Sequence, residues 1–252
     1  MIIRLKDFIY CDLYFKRFAR SLFYIYSKYL LKDKYGLTFV ICKYKEDISW
    51  VKNLPYKYII NDVNYVKDKN YDDGKIDYSK VIKLKDIGKD AYSILTFIID
   101  NYNSLPNYTG FLQGEPFDHS PFLAVLISKF KGQEFYGLSP NTLYKRGDND
   151  DLGILKTIEA TTKKHLGIEK DIFKFPTGTQ FIVSRDKILK HSIEEYKFLR
   201  EKISEVEKVD PNCLNPLHFK KPCSCLYDIP LWMFEVWSEI YFDDGVGLID
   251  VY

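Results

Sequence analysis

Hydrophobic positions change their spacing several times along the chain, and each change marks an element. Phe15, Phe18, Leu22, Ile25 and Tyr29 recur at steps of three and four, the period of one face of an α-helix. Lys16, Arg17, Arg20 and Lys28 lie beside that stripe. The spacing predicts an amphipathic helix with two destinations. Either the aromatic stripe packs on the core and the basic face meets water, or the helix lies on an anionic membrane surface.

From Leu37 the pattern shortens. Residues 37–42 form a continuous apolar run, suited to a strand buried on both faces. Residues 56–61 and 81–84 read as further strands, with the polar, Asp-rich stretch 64–79 between them a surface loop. Ala91, Ile94, Leu95, Ile98, Ile99 and Tyr102 then follow the helical period, and Pro106 lies just beyond it, so a helix starts near Asp90. A strand over 108–112 follows. Helices are predicted over 121–130 and 152–165, the second after the turn-rich Asp148-Asn149-Asp150-Asp151. A late strand over 179–184 leads to a charged helix over about 192–208, a Pro- and Cys-bearing loop over 210–230, and a Trp-rich helix over 231–242.

Strands that alternate with helices imply an α/β fold: a mainly parallel central sheet with helices on both faces. The 252 residues suit one such domain over 36–252, preceded by a basic helical segment over 1–35. Ligands of such sheets sit outside the carboxyl ends of the strands, so functional residues are expected just after each strand.

Composition narrows the classes. With 46% hydrophobic and 17% aromatic residues the chain has ample material for a core, which excludes a disordered chain. A balance of 37 Lys and Arg against 35 Asp and Glu, net +2, lacks the basic excess of a nucleic-acid binder, and no nucleic-acid partner is expected. Five Cys are an odd number, and Arg4, Lys6 and Asp7 interrupt any early apolar run. A cytoplasmic setting without a secretory leader is the expectation. No uncharged apolar stretch of about 18 residues exists to span a bilayer. Cys213, His218, Cys223 and Cys225 are zinc-ligand types, but their spacing is not one of the usual paired ones.

Chemistry collects at the predicted strand ends. Lys43, Tyr44, Glu46 and Asp47 follow the first strand. There the carboxylates either cap a helix or meet a nucleotide's base edge or ribose hydroxyls, with Tyr44 stacking. Gly88, Lys89 and Asp90 precede the long helix, where backbone N–H groups and one cation would meet an anion, or Asp90 simply caps. The densest cluster is Gln113, Glu115, Asp118 and His119 around Gly114 and Pro116, residues fit for general-base work or a divalent metal at Asp118. Arg185 follows the late strand and could bind phosphate bidentately or pair with Asp186. Glu235 sits off the apolar face of the last helix, toward water or a cleft. Walker loops, Gly-x-Gly-x-x-Gly, Gly-x-Ser-x-Gly and His-Glu-x-x-His are absent, which disfavours the common nucleotide hydrolases, dinucleotide oxidoreductases, serine hydrolases and zinc proteases.

These residues resemble the uncharacterised family known as domain of unknown function 3431. The carriers are the run from Phe39 to Trp50, Gly88-Lys89-Asp90 with the helix after it, Phe111-Leu112-Gln113-Gly114 with Asp118-His119, the run from Gln180 to Arg185, and Glu235-Val236-Trp237. The family usually has Gly-Arg-Glu where this chain has Gly88-Lys89-Asp90. It looks like a distant group of nucleotide-sugar transferases of the GT-A type. That resemblance implies a cytoplasmic glycosyltransferase, on the inner membrane face in one version, which moves a sugar from a nucleotide-sugar donor to a polysaccharide or lipid-linked glycan acceptor. Asp118 or Glu235 would be the catalytic base. Lys43, Tyr44, Glu46, Lys89, Gln113, Glu115, His119 and Arg185 would bind substrate. GT-A enzymes usually hold Mn²⁺ or Mg²⁺ on an Asp-x-Asp, where this chain has Gln113 to Asp118, and Lys89 and Arg185 would otherwise neutralise the diphosphate. The alternatives are a metal-dependent hydrolase or phosphotransferase using Glu115, Asp118 and His119, and a non-catalytic glycan-binding module.

Overall fold

The computed structural model describes residues 12–63, 81–84, 89–145 and 172–206. The described residues open with helix α1 (Asp12–Leu30) and enter strand β1 (Leu37–Lys43). A short 3-10 turn (Ser49–Asn53) leads to β2 (Lys57–Asp62), and β3 (Val81–Lys83) lies beyond it. Helix α2 (Lys89–Asp100) and strand β4 (Tyr108–Gln113) follow, then a 3-10 turn (Pro116–Asp118) and α3 (Leu123–Ser128). Three strands come next: β5 (Phe135–Gly137), β6 (Asn141–Lys145) and β7 (Ile172–Pro176). Strand β8 (Phe181–Ser184), α4 (Arg185–Ile188) and α5 (Ile193–Val206) complete the described chain.

Six strands form one sheet in the order β3-β2-β1-β4-β8-β5, and β6 and β7 form a separate antiparallel pair. Strands β3, β2, β1 and β4 run parallel, whereas β8 runs antiparallel to both β4 and β5. The fold is therefore α/β with a sheet parallel in its core. Alternation along β1 explains the two-sided burial. Val40 and Cys42 face α2 and α5 with Ile94, Leu95, Ile98, Tyr196 and Leu199. Phe39 and Ile41 face the opposite layer with Phe23, Trp50, Phe117 and Leu123.

Strands β1, β2, β3, β4 and β8 and helices α2, α3 and α5 lie where the apolar spacing predicts them. The short strands β5, β6 and β7 were not expected. The helix expected after Glu46 is only the 3-10 turn Ser49–Asn53. Expected elements over 64–79, 152–165, 210–230 and 231–242 lie outside the described residues, as do the cysteines beyond residue 206. Cys42 is a buried free thiol.

Helix α1 corrects the reading of its own stripe. Ala19, Phe23 and Ser27 are the buried positions, whereas Phe18, Ile25 and Tyr29 are 59%, 50% and 76% exposed. Phe23 meets Trp50 and Phe117 edge-on at 5.5 and 5.6 Å between ring centroids, a favoured aromatic geometry. Small Ala19 allows close approach one turn earlier. Among the described residues no helix is long and apolar enough to cross a membrane.

Candidate functional site

From β1 the chain moves outward to β2 and β3, then crosses back to place β4 on the other side of β1. The crevice between the carboxyl ends of β1 and β4 is thus the topological switch point of the sheet, where open α/β sheets bind ligands. A cleft of about 410 Å³ opens near this point, lined by Lys16, Glu46, Asp90, Gln113, Glu115 and Asp118. Four carboxylates and an amide face one ammonium there.

Local chemistry fixes each wall. Beyond β1 the backbone turns, and the Glu46 carboxylate accepts from the N–H groups of Tyr44 (2.7 Å) and Lys45 (3.0 Å). Beyond β4, Gly114 N–H donates to the Cys42 carbonyl at 2.7 Å, and its own carbonyl accepts from Trp50 Nε1 at 2.8 Å. A Cβ on Gly114 would stand 2.7 Å from Glu46 Oε2 and 3.2 Å from Glu46 Cβ, so a larger residue there would force the Glu46 side chain to move. Gln113 Nε2 donates to Asp90 Oδ2 at 2.9 Å, joining the end of β4 to the first turn of α2.

Helix α1 supplies the fourth wall. Arg20 binds the Glu115 carboxylate through Nη2 and, at 3.4 Å, through Nε. It also donates to Asp47 Oδ2 at 2.6 Å and to the Asp47 carbonyl at 3.1 Å. One turn earlier, Lys16 Nζ lies 3.1 Å from Asp118 Oδ1. Burial raises the pKa of Glu115 and outweighs the opposing pull of Arg20. Asp47 is also pushed up by burial, but the Ser49 N–H and hydroxyl and the Arg20 guanidinium bring it below the usual carboxylate value. His119 is lowered, chiefly by burial and against the attraction of Asp118, so it is neutral at physiological pH.

The expected residues therefore separate. Glu46, Gln113, Glu115 and Asp118 meet in the cleft, and His119 lies beside Asp118, packed on Gly178. Lys43 does not line the cleft: it is buried in an ion pair with Asp62 at 2.8 Å, its register partner across β1 and β2. Tyr44 carries the Lys45 ammonium over its ring at 4.6 Å and does not line it either. Lys89 opens α2, and its side chain lies outside the described residues; Glu235 lies outside them altogether. Arg185 is a correction. Because β8 is antiparallel, its carboxyl end adjoins the start of β4: Ser184 pairs with Tyr108, and Arg185 N–H donates to the Asn107 carbonyl. The six residues of β4, about 17 Å at roughly 3.3 Å per residue, separate Arg185 from the cleft. Its exposed side chain sits 3.7 Å from Asp186, the local pairing that was the alternative.

Sequence reasoning missed Lys16, Arg20 and Asp90 as site residues. The available signal was that Lys16, Ala19, Arg20 and Phe23 share one face of α1, a narrower and less aromatic face than the one that drew attention. The fit to a divalent metal is poor. Among the described residues no group of three or more His, Cys, Asp or Glu side chains is arranged to hold an ion, and Asp118, the expected ligand, pairs with Lys16.

Residues 39–121, the segment that holds β1, β4 and most of the cleft, match the family described as protein of unknown function (DUF3431), the family that the motifs resemble. No curated protein matches the chain. No solved structure matches it either.

Proposed function

We propose that the protein is a glycosyltransferase that moves a sugar from a nucleotide-sugar donor to a polysaccharide or lipid-linked glycan acceptor. The observation that carries this reading is the acceptor-rich cleft at the switch point, where the carboxylates of Glu46, Asp90, Glu115 and Asp118 and the amide of Gln113 converge. Such a lining is complementary to ligands rich in hydroxyl donors, such as a hexose or a ribose, because carboxylate and amide oxygens accept hydrogen bonds from hydroxyl groups. In this reading Asp118 accepts the proton of the acceptor hydroxyl as that oxygen bonds to the anomeric carbon. The bond from that carbon to the diphosphate oxygen breaks, and the nucleoside diphosphate leaves with the electron pair. Glu235 is the other acid proposed for the base.

The proposed location is the cytoplasmic face of an anionic membrane. Helix α1 supports it by turning Phe18, Ile25 and Tyr29 outward beside exposed Arg17 and Lys28, the composition of an interfacial helix. Thermal shift with UDP, GDP, CMP and their sugars, with and without Mn²⁺ or Mg²⁺, tests the enzyme reading. A specific ligand at about 100 times its dissociation constant stabilises by about 2.7 kcal/mol, which is several degrees. A shift with one nucleotide class names the donor and the metal requirement. A shift with sugar but no nucleotide would replace the transferase by a glycan-binding module, and turnover of a donor without acceptor would replace it by a hydrolase.

A further inference from the structure

We infer that Lys16 and Arg20 of α1 form the anion-binding side of the cleft and receive the phosphate groups of the ligand, the role that Arg185 is too far away to perform. The inference rests on the transferase reading and deepens it. Positions 16 and 20 are one helical turn apart, so their side chains leave α1 side by side. Lys16 lines the cleft itself, and Arg20 holds Glu115, which lines it. Lys16 is the one cation in the cleft's described lining. Lys43, another cation at a strand end, is committed to Asp62 in the interior. Helix α1 is a firm platform for the pair, because Ala19 and Phe23, between and just beyond the two cations, are buried.

The present partners of the two cations show how a ligand would enter. Arg20 is held by Glu115 and Asp47, and Lys16 by Asp118. A nucleotide sugar brings both halves of the replacement: phosphate oxygens for the guanidinium and the ammonium, and sugar hydroxyls to donate to the carboxylates that those cations leave. Pairing is exchanged, and no charge is left without a partner. Inorganic pyrophosphate supplies the anionic half of this exchange by itself, with water hydrating Asp118 and Asp47, whose side chains are 40% and 60% exposed, and so binds more weakly than a nucleotide sugar.

The test is calorimetric titration of inorganic pyrophosphate into the full chain at fixed ionic strength with EDTA present. Wild type should bind, and Lys16→Gln and Arg20→Gln should each weaken binding at least tenfold. Arg17→Gln, which removes an exposed cation from the same helix, should bind like wild type. Lys16→Gln breaks a half-buried pair at the mouth of the cleft, and unfolding measured in parallel keeps loss of binding apart from loss of stability in both variants. Variants that bind within threefold of wild type overturn the inference, as does an equal loss in Arg17→Gln, which would mark bulk charge alone. In both cases the transferase reading survives. Wild type that binds no pyrophosphate also overturns it, and the nucleotide-sugar shifts then decide the transferase reading separately.

Discussion

At the scale of single residues, two glycines and one histidine set the working limits of the cleft. Gly114 lies under Glu46, and an added Cβ meets both the carboxylate and the Cβ of that side chain. Gly114→Ala should therefore push Glu46 off the Tyr44 and Lys45 amides and weaken nucleotide binding at least tenfold, while costing only about 1 kcal/mol of stability; parallel calorimetry and urea unfolding separate the two effects. Gly178 has a positive φ of 75° and would drive a Cβ to 2.5 Å from His119 Cδ2. His119 itself makes stability depend on pH. Its folded pKa lies below its ordinary value of 6.5 because burial disfavours the imidazolium. The unfolded chain thus binds the proton more readily, and the stabilisation, full above 6.5, is lost as pH falls toward the depressed folded value. His119→Gln should reduce the drop in unfolding free energy between pH 7 and pH 5, measured by urea denaturation at each pH. An undiminished drop would assign the acid sensitivity to other groups.

At the scale of elements, α1 does two things with two faces. Its inner face carries Ala19 and Phe23 into the layer of Trp50 and Phe117 and brings Lys16 and Arg20 to the cleft. Phe23→Ala should cost about 3–5 kcal/mol and, by loosening the helix, weaken pyrophosphate binding as well. Its outer face holds Phe18, Ile25 and Tyr29 in water. The double change Phe18→Ser with Ile25→Ser should leave unfolding within about 0.5 kcal/mol of wild type, as surface changes do, yet reduce co-sedimentation with phosphatidylserine vesicles severalfold. Equal vesicle binding by wild type and variant would remove the membrane role from this face. The element was legible in the sequence, since the three- and four-residue spacing marks a helix whatever it packs on. Its orientation was not. Counting aromatic side chains favoured the stripe of Phe18, Ile25 and Tyr29, while burial followed shape: a small Ala19 and a single Phe23 fit the aromatic pocket behind β1.

At the scale of the whole molecule, what the sequence reveals and what it hides divide along strand direction. The core strands were legible because β1 is buried on both faces and reads as a continuous apolar run, while β4 brings Tyr108, Phe111 and Leu112 just after the helix-ending Pro106. Residues delivered by their carboxyl ends, Glu46, Gln113, Glu115 and Asp118, meet in one cleft. β5 is three residues long and β6 lacks a clear alternation, so neither stands out from its loops. The direction of β8 was hidden too, because an apolar run looks the same in either sense, and only its pairing with β4 and β5 shows it to be antiparallel. That single reversal removes Arg185 from the site, and among the described residues Lys16 is the cation that lines the cleft. Arg185→Ala should accordingly bind nucleotide and pyrophosphate with wild-type affinity and turn over at the wild-type rate, and its unfolding free energy should change by less than about 0.5 kcal/mol because its ion pair is exposed. A tenfold loss of affinity in that variant, at unchanged stability, would mean that Arg185 reaches the ligand from another direction, and the assignment of the switch-point cleft as the phosphate site would have to be given up.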